Sequence, residues 1–464
     1  MSRPIDLTTK PSIHVIGCGG TGMAPITAVL AHLGLSVSGS DQRPSATLDA
    51  LSDLGVRVTV GAGYDDIDDE AVLVRSTAVP DDHPEVAAAL LTGRPVHRRA
   101  DVLAAITDIH RTVAVAGTHG KTTTSSMVTA ALAGAGVDIS SIVGGKILGL
   151  DQPVPGAVLG EPGGVLVVEA DESDATFVEL VAEVAVVTNI EPDHLEHYGG
   201  EAGLLSAFDT FLTNDGLRAA VVCADDPGVG AALDRTQADR SRLVTYGQVA
   251  GCDVGLHFDP PAATVRIDGF ERRLEPRLPG LHNALNLTAA FAVAAALDLD
   301  LESAAAALDR FEGVGRRFER RGVSGGVQVV DDYAHLHGEI VAAIAAAREV
   351  CDGRIHVAFQ PHRYSRTEAL WHTYADALLT ADSVVLTDIY ASGEDRRAGI
   401  TSDLIFDDLV GRHPRTALVR VGTPAEVPAA LAELAQSGDL CLLLSAGDLP
   451  SIVESLLDAL RTTP

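Results

Sequence analysis

The stretch Arg111 to Ser125, RTVAVAGTHGKTTTS, constrains the chain more than any other. Val113 to Ala116 is a short run of small apolar residues, which predicts a buried strand. A glycine turn then delivers the chain to a helix opening near Lys121. Strand, glycine turn and helix N-terminus together make an anion site. The turn amides converge on phosphate oxygens, and the helix dipole adds positive potential. Lys121 is placed to reach the outer phosphates of a nucleoside triphosphate, and the Thr122 hydroxyl to complete the shell of a Mg²⁺ ion. The usual phosphate loop sets a glycine about six positions before its lysine. Val115 stands there, and Gly117 is the first glycine, so the loop is a shortened variant. It predicts an ATP site on a parallel α/β sheet.

At 464 residues the chain exceeds one core, and about three domains are expected. Hydrophobic residues make up 46% of it and aromatics only 4%, a balance that suits helices packed on sheets. Lysine and arginine number 34 against 64 acidic residues, a net charge of −30. That balance argues against a nucleic-acid partner or an anionic membrane surface, so phosphate ligands must be met by local cations. Cys18, Cys223, Cys252, Cys351 and Cys441 are scattered without C-x-x-C spacing, which predicts reduced core thiols and no cysteine metal site. The leader MSRPIDLTTKPS has no apolar signal core, and no run approaches membrane-spanning length. The expectation is a cytoplasmic protein, monomer or homodimer, acting on small molecules.

Three α/β segments follow from the apolar runs. In the first, residues 1–108, the strand Ile13–Ile16 feeds GCGGTG, whose Gly17, Gly19 and Gly22 fit G-x-G-x-x-G and open a helix through Leu33. A second strand, Leu35–Gly39, leads to Ser40-Asp41, an acid near the spacing (roughly 20 residues) at which a Rossmann unit binds a ribose hydroxyl. Strands at Val56–Val60 and Val72–Arg75 precede His97-Arg98-Arg99 and a helix over Ala100–Ile109. The second segment, 109–317, carries the phosphate loop and strands Gly164–Val168, Val184–Thr188, Ala219–Cys223 and Leu243–Thr245. Asp268-Gly269 marks a hairpin, and 147–164 reads as a loop and hinge. In the third, 318–464, strands are expected at Val327–Val330, Ile355–Phe359, Val384–Thr387, Ala417–Val421 and Leu440–Leu444.

Polar residues gather where predicted strands end. Acidic side chains are almost never buried unpaired, so the cluster Glu169 to Asp174 must face water, cations or a metal. Beside a phosphate loop it suggests Mg²⁺, with His194 after the next strand a further ligand; a solvated acidic turn is the alternative. His282, Asn283 and Asn286 open a helix expected over Asn286–Leu297, where amides either cap the helix or touch a ligand. Arg316-Arg317 reads as a phosphate clamp or as an exposed basic linker. Asp331-Asp332-Tyr333-Ala334-His335 and Gln360-Pro361-His362-Arg363-Tyr364-Ser365-Arg366 end consecutive strands and should face one cleft. Arginines there suit a carboxylate held bidentately, or structural ion pairs.

Taken in order, GCGGTGM, GTHGKTTT, EADESD, TNIEPDH, HNALN, GRRFE, DDYAH and FQPHRYSRT resemble the Mur ligases over nearly the whole chain. The resemblance implies a Rossmann-like N-terminal domain for a UDP-sugar, a central ATPase-type parallel-sheet domain and a Rossmann-like C-terminal domain. It implies that Gly17, Gly19, Gly20, Gly22 and Met23 cradle the UDP diphosphate rather than a dinucleotide, with Ser40 and Asp41 toward the uridine. Gly117, Thr118, His119, Gly120, Lys121, Thr122 and Thr123 would hold the ATP phosphates, and Thr122, Glu169 and His194 would surround Mg²⁺. Asn189, His282, Asn283, Arg316 and Asp332 would position the nucleotide. Tyr333, His335, His362, Arg363 and Arg366 would line the amino-acid and acyl-phosphate site. The activity implied is ATP-dependent joining of an amino acid, L-alanine, to the carboxylate of UDP-N-acetylmuramate, with Lys121, His194, His335, His362, Arg363 and Arg366 taking part in the chemistry.

The sequence also departs from the family pattern. His335-Leu336-His337-Gly338-Glu339 replaces H-H-P-T-E, Ala24-Pro25 replaces Ser-Gly, Ser445-Ala446-Gly447-Asp448 replaces G-A-G-D, and Arg396-Arg397 stands where a proline-containing stretch is usual. The ATP machinery is intact and the substrate edges differ. A paralogue that joins another amino acid to a related carboxylate is therefore an alternative, as is a nucleotide-binding protein without turnover. An NAD-dependent oxidoreductase would rest on the first glycine motif alone, and it leaves Lys121-Thr122 and the third domain without work.

Overall fold

The computed structural model describes residues 5–61, 67–76, 78–173, 175–193, 195–214, 216–236, 239–412 and 416–461. Three sheets follow one another along the chain. The first comprises β1 (Ile13–Ile16), β2 (Val37–Asp41), β3 (Arg57–Val60), β4 (Val72–Arg75) and β5 (Val96–Arg98). All are parallel, in the order β3-β2-β1-β4-β5. Every residue of β1 is buried, which is why its sequence shows no alternation. The order reverses beside β1, so its glycine turn opens at the switch point where open α/β sheets take ligands. Ser40 and Asp41 belong to β2, which starts later than expected.

The second sheet holds β6 (Arg111–Ala116), β7 (Ile139–Ile142), β8 (Val165–Glu169), β9 (Val184–Val187), β10 (Ala219–Cys223), β11 (Leu243–Gly247) and β12 (Val254–Asp259). These run parallel, and β13 (Ala262–Ile267) with β14 (Phe270–Leu274) extends one edge as the expected hairpin. β6 lies between β8 and β9, with Val115 opposite Glu169 and Ala116 opposite Val187. That register sets the phosphate loop, the acidic strand end and Thr188-Asn189 side by side. These two sheets share one continuous core and belong to one compact unit, residues up to Arg277 with Ala284–Glu312. Arg98 ties them directly, donating to Asp101 at 2.7 Å and to Glu179 at 3.1 Å.

The third sheet, in the second unit (Leu278–Asn283 and Gly313 onward), comprises β15 (Glu319–Ser324), β16 (Val327–Asp332), β17 (Ile355–Phe359), β18 (Ser383–Leu386), β19 (Ala417–Arg420) and β20 (Leu440–Leu444). Its order is β15-β16-β20-β17-β18-β19, parallel except for the edge strand β15. The strands ending in DDYAH and QPHRYSR are thus not direct neighbours, because β20 lies between them. Asp332 and Phe359 both pair with Leu444, so the two ends remain level.

Two expectations need correction. The helix expected from Asn286 begins at Leu281, so HNALN forms its first turn. Cys252 is not a core thiol; it is only half-buried, because it falls in the turn between β11 and β12, whereas the other four cysteines are buried. Among the described residues no helix is long and apolar enough to cross a membrane.

The packing of Cys18 against β2 requires Gly39. A Cβ there would lie 2.8 Å from the Cys18 side chain and 2.9 Å from the Val15 carbonyl. Gly39→Val should therefore destabilise the first sheet by roughly 1–3 kcal/mol, measured as a lowered melting temperature in scanning calorimetry. An unchanged melting temperature would contradict this packing.

Candidate active site

The phosphate loop is braced from behind. Asn189 holds the His119 peptide on both sides, its Oδ1 accepting from the His119 N–H at 2.7 Å and its Nδ2 donating to the His119 carbonyl at 3.0 Å. The Thr188 hydroxyl donates to the same carbonyl at 2.7 Å, and Thr118 N–H to the Asn189 carbonyl at 3.1 Å. Gly117 has φ +136°, and a Cβ there would collide with the Thr188 hydroxyl. Only glycine fits both the backbone and the space. Asn286 approaches Gly120 from the helix Leu281–Ala296.

Lys121 opens the helix Lys121–Gly134, and its side chain folds back over the loop. Nζ donates to the carbonyls of Gly117 at 2.7 Å and Thr118 at 3.1 Å, and lies 2.6 Å from Glu172 Oε2. Burial pulls this ammonium down, but Glu172, Asp171 and Glu169 outweigh it and hold the lysine charged. Burial pushes the Glu172 carboxyl up to about 7 against the pull of Lys121. The cluster after β8 is therefore not a solvated acidic turn: Glu172 is buried and spent on the lysine. Within EADESD no local signal sets Glu172 apart from its acidic neighbours. Glu169 accepts from the Thr122 hydroxyl at 3.0 Å and from Gly144 N–H at 2.8 Å, while Thr123 is buried behind the loop. His194 lies outside the described residues, and no group of three metal-ligating side chains occurs among those described. Two adjacent hard oxygens, Thr122 and Glu169, still suit Mg²⁺, which binds through one or two protein oxygens and substrate phosphates.

The first glycine turn is built differently. Gly17 and Cys18 N–H both donate to the Ser40 carbonyl, at 2.8 and 3.1 Å. Gly19 N–H donates to Asp41 Oδ2 at 2.9 Å, Gly20 N–H to the Gly17 carbonyl at 3.2 Å, and Met23 N–H to the Gly20 carbonyl at 3.0 Å. The Ser40 hydroxyl turns inward to the buried Glu85 at 2.5 Å. Ser40 and Asp41, expected toward a uridine, thus bind the protein itself.

In the second unit, Tyr333, His335, His362 and Arg366 come together. Tyr333 and His335 rings meet edge-on at 5.5 Å, His335 and His362 at 5.7 Å, and His362 stacks on Tyr390 at 5.7 Å. Tyr390 carried no sequence signal; the bridge pairing it with His362 places it. Arg316 and Arg317 both lie over the Tyr333 ring, at 4.9 and 5.0 Å. Arg316 also donates to the carbonyls of Ser445 at 2.5 Å and Gly447 at 3.2 Å, so the pair is no free basic linker. Asp332 accepts from the N–H groups of Phe318 and Ala334, both at 2.7 Å. Arg363 is exposed, with its backbone in the left-handed region at φ +70°, as is that of Arg316 at φ +61°. Asn283 is buried and donates to the Pro279 carbonyl at 2.7 Å, while His282 is exposed.

The departures at 336–338 leave the local architecture standing. Glu339 accepts from the N–H groups of His335 at 3.0 Å and Leu336 at 3.2 Å, capping the helix His337–Val350. Pro25 falls in the first turn of the helix Ala24–His32, where its missing N–H costs nothing.

A braced phosphate loop beside a carboxylate-ended strand, on the middle of three α/β sheets, defines a modular enzyme of nucleotide-dependent group transfer. Residues 12–111 match the Mur ligase family catalytic domain, 115–294 the Mur ligase middle domain and 316–447 the Mur ligase glutamate ligase domain. The chain belongs to the Mur ligase family. It is 42% identical over 454 residues to the UDP-N-acetylmuramate–L-alanine ligase of Paenarthrobacter aurescens (strain TC1), spanning 96% of this chain and 97% of that protein. It is 41% identical to the enzyme of that name from Myxococcus xanthus (strain DK1622), over 97% of this chain and 96% of that one. The crystal structure of UDP-N-acetylmuramate-alanine ligase MurC from Thermotoga maritima superposes with a TM-score of 0.79 at 28% identity, covering 98% of this chain and all of that one. A murein peptide ligase from Psychrobacter arcticus 273-4 shares the fold, with a TM-score of 0.70 at 22% identity over 97% and 99% of the two chains. The oxidoreductase alternative is set aside by these likenesses.

The His362 environment makes a direct prediction. Burial leads, with the charges of His335, Arg366 and Arg363, in pushing its imidazole down to about 3. A depressed basic group stays neutral above its pKa, so the ring should remain uncharged from neutrality down to about pH 4. Imidazole NMR titration of the full chain checks this; a His362 resonance titrating near 6.5 would contradict it.

Proposed function

We propose that this chain is an ATP-dependent amide ligase joining L-alanine to the carboxylate of UDP-N-acetylmuramate through an acyl phosphate, a cytoplasmic step of peptidoglycan synthesis. The observation that carries the reading is Lys121, held charged at the start of the helix that follows β6, on a loop braced for phosphate. The choice of substrates is supported by near-full-length likeness to ligases of that name.

The chemistry then follows physically. A carboxylate is a poor electrophile because hydroxide or oxide is a hopeless leaving group. Transfer of the γ-phosphoryl group from ATP to a carboxylate oxygen expels ADP and makes an acyl phosphate. Lys121 exchanges its loop carbonyls and Glu172 for phosphate oxygens, where its charge counters that of the moving phosphoryl group. Thr122 and Glu169, joined by His194, would hold Mg²⁺, which when bound supplies further charge neutralisation to the phosphates. Asn189 serves the nucleotide through the phosphate loop that it braces. Arg363 and Arg366 suit the carboxylate of the incoming amino acid.

The amino acid's ammonium must lose a proton before its nitrogen attacks the acyl carbon and expels inorganic phosphate. The hydrogen bonds of the two histidines support different roles for them. His335 Nδ1 faces the Tyr333 carbonyl at 3.0 Å, an acceptor only, so the proton sits on Nδ1 and Nε2 carries the lone pair. Burial leads in lowering the His335 pKa, which keeps the ring neutral and able to accept. His362 Nδ1 instead accepts from the Arg366 guanidinium at 3.0 Å, which commits its lone pair. These contacts support His335 as the proton acceptor and His362 as the residue that orients Arg366.

Because the family departures at 336–338 adjoin His335, a paralogue taking another amino acid is the second reading. Phosphate release with UDP-N-acetylmuramate, ATP and Mg²⁺ across single amino acids tests both. L-alanine should give the highest kcat/KM. A clear preference for another amino acid would favour the paralogue, and no release with any of them would overturn the ligase reading.

A further inference from the structure

Arg99 opens the helix Arg99–Asp108 directly after β5. Its arginine neighbours are occupied by the protein. Arg98 is paired with Asp101 and Glu179, and Arg94 donates to the carbonyls of Asp68 and Ala71, both at 2.8 Å. Arg99 differs. Its Nε donates to the Gly22 carbonyl at 3.2 Å, and among the described residues Nη1 and Nη2 meet no acceptor. The guanidinium packs closely on the turn, since a Cβ at Gly22 would stand in ordinary contact with it, 3.4 Å from Nε and 3.8 Å from Cζ. The outer edge of a guanidinium fork is therefore left open beside the glycine turn, at the switch point of the first sheet.

That turn is poorly equipped to hold a diphosphate alone. The N–H groups of Gly17, Cys18, Gly19, Gly20 and Met23 are already donated within the protein, and the Asp41 carboxylate lies against the turn. On a chain of net charge −30, a doubly charged ligand needs a cation placed on purpose. A guanidinium with two free N–H edges matches phosphate oxygens two at a time.

We propose that Arg99 binds the diphosphate of the UDP-sugar on the Gly17–Met23 turn. The inference rests on the nucleotide-sugar reading above and adds to it the residue that supplies the charge.

Isothermal titration of the full-length protein with UDP, uridine and ADP tests it. Wild type should bind UDP, and Arg99→Ala should weaken UDP by about tenfold to a hundredfold while leaving uridine and ADP affinities unchanged. Arg99→Lys, which keeps the charge and loses the fork, should fall between the two and stands in should the alanine variant not fold. Unchanged UDP affinity in the alanine variant, or wild-type affinity in the lysine variant, would overturn the proposal alone. Equal losses for uridine and UDP would also overturn it, because they would indicate a collapsed pocket rather than a lost diphosphate contact. No UDP affinity in wild type would overturn the nucleotide-sugar reading as well.

Discussion

An ammonium largely withdrawn from water at the start of a helix must be satisfied by something, and in this protein the partners of Lys121 explain much of what surrounds it. The Gly117 and Thr118 carbonyls and Glu172 take its charge. Each partner needs its own support. Asn189 and Thr188 fix the loop peptide, and β8 carries the acidic stretch alongside because it pairs with β6 in register. The arrangement stands in for a phosphate group. An anion entering the loop would replace partners that already match its charge, so the lysine need not be repositioned from solvent.

The two glycine turns of the first compact unit show how similar motifs serve different ends. The turn after β6 is held by contacts to its rear, leaving its face to a ligand. The turn after β1 spends most of its amides on Ser40, Asp41 and itself. One turn carries its own cation in Lys121; the other has Arg99 lent to it by a helix that follows β5. In the second unit the logic is aromatic and cationic: Arg316 and Arg317 lie over Tyr333, and imidazoles continue the contact as far as Tyr390.

Much of this was legible in the sequence, for physical reasons. Strands buried on both faces, such as IHVI and AAVVC, announce themselves as apolar runs, and the loop at Lys121 is placed by its strand, glycine turn and Lys-Thr pair in order. Some strands rich in polar residues give no such signal. β7, with Ser140-Ser141 at its middle, and β15, with two arginines, give no apolar signal because pairing rather than hydrophobicity holds them. Side-chain direction was equally hidden. Asp41 has the spacing of a ribose ligand yet turns to Gly19, and nothing local distinguishes Arg99, with its open fork, from Arg98, which is saturated by carboxylates. Tyr390 reaches the histidines only through the folded sheet.

The central claim is that the charge of Lys121 drives phosphoryl transfer to an acid. The most direct measurement is the rate of ATP-dependent amide synthesis by Lys121→Met, set against its affinity for UDP. A loss of about a thousandfold or more in rate is expected, with UDP affinity at the wild-type level. Amide synthesis at the wild-type rate in that variant would contradict it.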